Sequence, residues 1–250
     1  FQKVCQASPD RSGDVMGALT SGSTGTPKVF YRTYESWADF FEVQNNTFAV
    51  NRATRMFIHG SLSFTGNLNM FLAVMAAGGS IITCNPIQVR YWNSLIVAGQ
   101  VSHIYLVPAK LQLLCREKTN PNLMVKQIIA GSQLISDETY KKICRKFPHS
   151  ITILYYGSGE LSYISYKVLD GKIMEANNLG RPFAGIKVSS INGEIFVDTP
   201  FHISGINVPY SCGDTGYINE RNEIIFTGRK SDWINKGGYK ISCLKLERQI

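Results

Sequence analysis

The chain has 250 residues, a formal net charge of +8 at pH 7, and 44% hydrophobic and 18% charged residues. It is long enough to bury a sizeable core, and its composition excludes a disordered or low-complexity protein. Lysines and arginines are scattered, without a run of five or a nucleic-acid motif, so no nucleic-acid partner is expected. The charge is compatible with an anionic cofactor or with a basic solvated surface.

The cysteines give information on metal sites and compartment. Six of them lie far apart in the chain: Cys5, Cys84, Cys115, Cys144, Cys212 and Cys243. This spacing argues against zinc and against a compact disulfide framework, and it predicts reduced thiols in a cytoplasmic protein. No integral membrane segment is expected, because the longest apolar stretch, residues 70–82, is too short and is interrupted by glycines. No signal peptide is visible, and the missing initial Met suggests that the chain starts mid-protein or after processing.

The first part of the chain alternates short apolar strands with helical segments. Strands are predicted at residues 15–19, 55–59, 80–83, 104–107, 126–130 and 151–155. Helices are predicted at residues 34–46, 68–77, 109–117 and from the capping residue Ser136 to Phe147. From residue 167 onward, short strands at 187–190, 194–198, 217–218 and 223–227 predict a β-rich subdomain. The pattern indicates an α/β protein whose ligands bind at the carboxyl ends of strands.

A segment that follows the first strand is rich in phosphate-binding groups. It consists of Thr20, Ser21, Gly22, Ser23, Thr24, Gly25, Thr26, Pro27 and Lys28. Its glycines expose backbone N–H groups, its hydroxyls donate to oxyanions, and Lys28 supplies positive charge. A Walker loop does not fit, because Pro27 stands where a glycine is required and Val29 where a magnesium-binding hydroxyl is required. The alternative is a flexible Ser/Gly connector, which leaves Pro27 and Lys28 unexplained.

Further motifs follow this loop in a fixed order. They are Tyr156-Gly157-Ser158-Gly159-Glu160, Gly180-Arg181-Pro182, Gly193-Glu194, Gly213-Asp214-Thr215-Gly216-Tyr217, and the run from Gly228-Arg229 through Gly238-Tyr239-Lys240-Ile241 to Glu247. Together with the loop at residues 20–28, they resemble the motifs of the adenylate-forming (AMP-binding) superfamily. The sequence around Tyr156 is most similar to bacterial fatty-acyl-CoA ligases, and the resemblance covers the chain from Leu19 onward.

The resemblance implies a fold and a division into domains. The expected fold class is α/β: the mixed-sheet amino-terminal domain of an adenylate-forming enzyme with a β-rich subdomain, and with the carboxyl-terminal lid largely absent. Residues 1–166 would form the nucleotide- and acyl-binding body, 167–228 the β-rich subdomain, and 229–250 the hinge and the start of the lid. The chain looks truncated at both ends. The superfamily's lid carries a lysine that acts in adenylation, and the corresponding position would lie beyond residue 250. This chain is therefore expected to be weakly active or inactive alone.

The resemblance also implies contacts with ATP and Mg²⁺. The loop at residues 20–28 would hold the β- and γ-phosphates, with Lys28 among the catalytic residues. Glu160 would coordinate Mg²⁺ through a carboxylate oxygen and also count as catalytic. Gly159 replaces the superfamily's usual Thr, whose hydroxyl helps to hold the α-phosphate, and Ser158 is the nearest substitute. Gly157 completes this nucleotide-binding motif.

The remaining nucleotide contacts involve adenine and ribose. Tyr156 would pack against adenine, with Gly131 and Ser132 on the other side of the base. Asp214 would accept hydrogen bonds from both ribose hydroxyls, and Arg229, a third catalytic residue, would reach the ribose or the α-phosphate. Each assignment has a structural alternative. For Tyr156 it is a core tyrosine, for Asp214 a turn aspartate, and for Arg229 a surface salt bridge. For Glu160 it is a solvated loop residue.

The acid substrate is addressed by a second set of residues. Thr65 stands where amino-acid-activating relatives carry an Asp, so an unpaired ammonium group would be costly there and an amino acid is disfavoured. The acyl pocket is expected to be apolar and to favour a fatty or aryl acid. Its expected lining is Phe64, Thr65, Leu68, Gly131 and Leu161. Gly238 would line the path of the thiol acceptor. In the hinge, Ser231 stands where the superfamily usually carries Asp.

These assignments predict an acid–thiol ligase of fatty-acid metabolism. It would convert a carboxylic acid and ATP to an acyl adenylate and then transfer the acyl group to CoA. Two alternatives stay open: a ligase whose acceptor is an acyl carrier protein, and a nucleotide-binding fragment without turnover.

Overall fold

The computed structural model describes residues 15–20, 28–131, 133–170, 177–230, 233–236 and 239–242. Its helices are α1 Glu35–Ala38, α2 Phe41–Thr47, α3 Thr65–Ala76, α4 Val89–Ala98, α5 Pro108–Arg116 and α6 Asp137–Lys146. Its strands up to residue 169 are β1 Val15–Thr20, β2 Lys28–Thr33, β3 Arg55–His59, β4 Ser80–Cys84, β5 His103–Tyr105, β6 Gln127–Gly131, β7 Ile151–Ser158 and β8 Ser162–Leu169. The later strands are β9 Arg181–Pro182, β10 Lys187–Ile191, β11 Glu194–Asp198, β12 Asp214–Ile218, β13 Ile224–Arg229, β14 Trp233–Lys236 and β15 Tyr239–Ser242.

A seven-stranded sheet forms the centre of the fold, with the strand order β4-β3-β5-β6-β7-β8-β9. Strands β4, β3, β5, β6 and β7 are parallel, and β8 and β9 add to one edge in antiparallel orientation. Successive residues of β3 enter different cores: Met56 and Ile58 join one hydrophobic cluster and Phe57 the other. This alternation is expected for a strand covered on both faces. Because the five strands run parallel, their carboxyl ends lie at the same edge of the sheet.

A four-stranded antiparallel sheet, in the order β10-β11-β12-β13, packs on the same core. Its residues Ile195, Val197 and Ile224 belong to the hydrophobic cluster that contains Ile58. Backbone hydrogen bonds also connect the chain before β9 to β13, among them Leu179 N to Ile224 O at 2.8 Å. The expected mixed sheet with a β-rich subdomain is therefore confirmed.

Several local predictions need correction. The helix expected at residues 34–46 is two helices, α1 and α2, and β7 extends to Ser158, so Tyr156, Gly157 and Ser158 lie within the strand. Neither α4 nor β8 was predicted. The cap of α6 is confirmed, since the Ser136 hydroxyl accepts a 3.2 Å hydrogen bond from Thr139 N.

Two further expectations concern the domains and the membrane. The boundary expected between residues 166 and 167 falls inside β8 of the central sheet, and the division into three parts stays a prediction. Among the residues that the structure describes, no helix is long and apolar enough to cross a bilayer.

Candidate functional site

A cleft of about 1270 Å³ lies at the carboxyl ends of the central parallel strands. Its lining includes the ends of β3, β5 and β7, the first turns of α3, and the residues Asp214 and Arg229 of the four-stranded sheet. In α/β folds, ligands bind at this edge of the sheet. The cleft therefore lies where the strand order predicts a binding site.

Asp214 organises one end of the cleft. It is the first residue of β12 and is only 2% exposed. The Tyr156 hydroxyl donates a 2.5 Å hydrogen bond to Asp214 Oδ2, and Arg229 Nε donates one of 2.9 Å to Oδ1. The antiparallel register of β12 and β13 sets Asp214 opposite Arg229. We call these three residues the Tyr156–Asp214–Arg229 triad.

The electrostatics of the triad follow from burial. Desolvation, followed by the nearby Asp214 carboxylate, raises the pKa of Tyr156 well above its ordinary value, so the phenol stays a neutral donor. The Arg229 side chain is 50% exposed, which brings its guanidinium to the cleft while Nε stays bound to Asp214. Each carboxylate oxygen has two lone pairs, so Asp214 can still accept further hydrogen bonds from a ligand.

The turn between β7 and β8 carries Glu160, which lines the cleft. The turn is held from both sides: Ile203 N donates to Glu160 O at 2.9 Å, and Leu161 N donates to Ser158 Oγ at 3.1 Å. The Cys212 thiol also donates to Ser158 Oγ, at 3.2 Å. Burial raises the pKa of Cys212 to about 12, so this thiol is neutral and is not a nucleophile at ordinary pH.

Arg32 fixes the same turn from below. This fully buried cation donates 2.6 Å hydrogen bonds to Ser162 Oγ and to the carbonyl oxygen of Phe201. Its guanidinium carbon lies 4.5 Å from the centroid of the Trp37 ring, a cation–π contact. Ser162 itself has a positive φ of 62°. Sequence reasoning missed Arg32, because a single arginine in a strand carries no signal of its buried partners.

The phosphate loop is described only at its ends. Thr20 closes β1 and lies opposite Lys28, the first residue of β2, and Lys28 lines the cleft. The antiparallel register thus brings the two ends of the segment together. The predicted contacts of Ser21, Gly22, Ser23, Thr24, Gly25 and Thr26 lie outside the described residues, as do those of Ser132 and Gly238.

The described residues that line the cleft include two acids, Glu160 and Asp214. Among the described residues there is no cluster of three or more His, Cys, Asp or Glu side chains that could hold a metal ion. Mg²⁺ commonly binds through one or two carboxylates together with substrate phosphates and water. Glu160, an acid that lines the cleft on the same β7–β8 connection as Ser158, fits that arrangement.

The predicted acyl-pocket residues divide into two groups. Phe64 and Thr65 line the cleft at the start of α3. Leu68 and Leu161 do not line it: Leu68 packs against the cluster of Trp37 and Phe41, and Leu161 is fully buried in the core. Leu161 is the last residue of the β7–β8 turn, and its side chain packs into the core cluster instead of the cleft.

Gly131 is likewise covered. A Cβ atom there would lie 2.2 Å from the Tyr155 ring, so Tyr155 fills the space above this glycine. Both polar and apolar residues line the cleft, and sequence reasoning missed many of the polar ones. Among these are His59, Asn69, Tyr105, Lys110, Tyr155 and Tyr163. The spacing of Asn69, four residues after Thr65 on the same helix, is a signal that could have identified it.

Comparisons with known proteins agree with this architecture. The family of AMP-binding enzymes matches residues 6–201. The chain is 27% identical over 252 residues to an uncharacterised acyl–CoA ligase, YhfT, from Bacillus subtilis (strain 168), covering 93% of this chain and 52% of that protein. It is 26% identical over 248 residues to a putative long chain fatty acid-CoA ligase, VraA, from Staphylococcus haemolyticus (strain JCSC1435), with the same coverage.

A similar fold occurs in a solved structure of O-succinylbenzoate coenzyme A synthetase (MenE) from Bacillus subtilis, in complex with ATP and magnesium ion. The TM-score is 0.82 at 19% identity, over 93% of this chain and 53% of that chain. The chain thus spans about half the length of the curated relatives it matches. Because the family match covers most of its residues, the chain belongs to the family of AMP-binding enzymes.

Proposed function

We propose that this protein activates a carboxylic acid with ATP and passes the acyl group to a thiol, with CoA as the acceptor. One observation carries the proposal: a single cleft collects Lys28, Glu160 and the Tyr156–Asp214–Arg229 triad from distant parts of the chain. Cations, a metal-binding carboxylate and a buried carboxylate acceptor are the groups that a nucleoside triphosphate requires.

The nucleotide would bind across the triad. Asp214 has lone pairs left for the ribose hydroxyls, and the Tyr156 ring stands beside it as a surface for adenine. Gly159 stands where the superfamily usually carries Thr, so it has no hydroxyl for the α-phosphate. The neighbouring Ser158 Oγ, which accepts a hydrogen bond from Leu161 N, would supply one instead. Because the Tyr155 ring covers Gly131, this glycine would leave room for that ring rather than touch the base itself.

The chemical step is an in-line displacement at the α-phosphorus. A carboxylate oxygen of the acid attacks this phosphorus, the bond to the bridging oxygen of the β-phosphate breaks, and pyrophosphate leaves with the electron pair. Lys28 and Arg229 would stabilise charge on the leaving and transferring groups and hold the two anions together. Glu160 would hold Mg²⁺ together with the phosphates, and the ion would supply further charge neutralisation.

The thioester step and the acid class are supported by the relatives. YhfT is named as an uncharacterised acyl–CoA ligase and VraA as a putative long chain fatty acid-CoA ligase. A fatty or aryl acid, CoA as the acceptor and a cytoplasmic location form part of this proposal. An acyl carrier protein as acceptor is the alternative that the assay below separates.

The test uses the complete gene product with ATP, Mg²⁺ and a panel of carboxylic acids. We expect pyrophosphate exchange into ATP that depends on the acid, and an acyl-adenylate mass in the absence of thiol. Addition of CoA should convert this intermediate to a thioester. Exchange that is absent with every acid overturns the proposal, and acyl transfer to a carrier protein but not to CoA overturns the choice of acceptor.

A further inference from the structure

Buried polar atoms without a hydrogen-bond partner occur in the inner part of the cleft. In the part of the chain that the structure describes, eight buried side-chain nitrogen and oxygen atoms have no partner. Three of the eight belong to Asn69 and Tyr163, which line the cleft. Two more belong to the His59 ring, which packs against Trp92 at 4.4 Å between centroids and so lies on the other face of the sheet. Because an unpaired buried polar atom is costly, the Asn69 and Tyr163 atoms indicate a place where a ligand supplies the missing hydrogen bonds.

Asn69 is the clearest case. It is 2% exposed, and neither its amide nitrogen nor its amide oxygen has a partner among the described residues. It lies on α3 one turn beyond Thr65 and Gly66, which also line the cleft. Residues three and four positions apart share one face of a helix, so the Asn69 amide faces the same space as the first turn of α3.

Tyrosine side chains enclose this space from the sheet. The Tyr105 hydroxyl approaches α3 so closely that a Cβ on Gly66 would lie 2.7 Å from it. It also lies 2.6 Å from the Tyr155 hydroxyl, and the Tyr163 ring packs edge-on against Tyr155 at 4.6 Å between centroids. The inner end of the cleft is therefore lined by aromatic rings whose hydroxyl groups can form hydrogen bonds.

These groups favour a neutral ligand. Burial raises the pKa of Tyr105 and of Tyr163 well above the ordinary value, so both phenols stay uncharged. A carboxylate or an ammonium group of the ligand would find no counter-charge among Asn69 and these tyrosines. A saturated hydrocarbon end would leave the Asn69 amide buried and unpaired.

We infer that the activated acid carries a hydroxyl or carbonyl group at the end remote from its carboxylate, and that Asn69 selects it. A hydroxyl can donate to the amide oxygen and accept from the amide nitrogen at once. The inference rests on the proposed function for the position of the carboxylate. It narrows the expected fatty or aryl acids to those with a neutral polar far end.

A matched pair of acids tests this inference on the complete gene product. The pair is 4-phenylbutanoic acid and its para-hydroxylated form. We expect kcat/KM for adenylate formation to be at least about tenfold higher for the hydroxylated acid, because the other acid leaves a buried amide unpaired. In Asn69→Leu the ratio should fall close to one. Gln44→Leu is the matched control: Gln44 is buried, its Oε1 lacks a partner, and it does not line the cleft, so the ratio should persist.

Stability and binding measurements complete the test. Asn69→Leu should raise the Tm, because it removes two unpartnered buried atoms; a lower Tm or a failure to fold would show a structural role and overturn the inference. The rise in Tm with each acid alone, without ATP, separates the two proposals. If no acid gave an adenylate but the hydroxylated acid stabilised the wild type more, only the proposed function would fail. Equal stabilisation by both acids, or a preference for 4-phenylbutanoic acid, would refute the role of Asn69.

Discussion

The Tyr156 hydroxyl donates a 2.5 Å hydrogen bond to Asp214, and this bond joins β7 of the central sheet to β12 of the four-stranded sheet. Since Asp214 also accepts from Arg229, this end of the cleft, where we propose that the nucleotide binds, is one hydrogen-bonded unit with members from both sheets. A change at one member is expected to affect the other two.

The first prediction concerns the charge of Asp214. In Asp214→Asn, Arg229 loses the negative charge of Asp214, and the amide can accept at only one of its two terminal atoms. We expect the free energy of unfolding in urea to fall by about 1–3 kcal/mol. Acid-dependent pyrophosphate exchange should fall at least about 100-fold. Asp198→Asn is the control, because Asp198 is exposed and does not line the cleft. Unchanged ATP affinity in Asp214→Asn would contradict the assigned role.

The second prediction concerns stability at alkaline pH. The pKa of Tyr156 is raised by burial and by Asp214, so the folded protein keeps a proton that the unfolded chain loses above about pH 10. The stabilisation from this group is complete below that pH and is lost as the pH rises toward the folded-state pKa. The free energy of unfolding should therefore fall more steeply between about pH 9.5 and 11 in wild type than in Tyr156→Phe. If the free energy of unfolding fell equally steeply with pH in both proteins, the raised pKa of Tyr156 would not be the cause of the alkaline loss of stability.

The third prediction concerns thiol reactivity. Burial raises the pKa of Cys115 to about 11 and that of Cys212 to about 12, whereas Cys144 is exposed. At pH 8 a disulfide reagent should label Cys144 at least about tenfold faster than Cys115 and Cys212. Peptide mass spectrometry after timed labelling measures this, with the urea-unfolded chain as the control. Equal rates for Cys144 and Cys212 in the native protein would disagree with the structure.

The fourth prediction concerns Gly131. A methyl group at this position would lie 2.2–2.5 Å from atoms of the Tyr155 ring, so Gly131→Ala must displace the ring. We expect a loss of about 2 kcal/mol or more in the free energy of unfolding. The double variant Gly131→Ala with Tyr155→Leu should recover part of this loss, because the ring is gone. If Gly131→Ala were as stable as wild type, the close packing described here would be wrong.

Sequence motifs predicted that Tyr156, Asp214 and Arg229 come together, but they did not predict the residues around Asn69. The residues of the triad stand in short motifs with fixed spacing, so their convergence followed once the superfamily was recognised. Asn69 and the tyrosines around it belong to no motif. Their burial depends on how closely α3 approaches the sheet, and Gly66 sets that distance through a contact that no local pattern encodes.

Two missed elements, α4 and β8, and the misassigned Leu161 each have their own cause. Helix α4 has a readable signal in Trp92 and Ile96, which are buried at i and i+4. Strand β8 was missed because its first residues are buried on both faces and show no alternation. Leu161 was expected to contact substrate because it follows Glu160, but within the turn its side chain packs into the core.

The cleft takes Lys28 from an early strand and Arg229 from a late one. Contacts so distant in sequence form slowly, and the cleft cannot exist before β13 has paired with β12. The proposed nucleotide site is therefore expected to form late in folding. A fluorescent ATP analogue would report complete folding of a newly synthesised chain, at a stage when circular dichroism already records most of the helices.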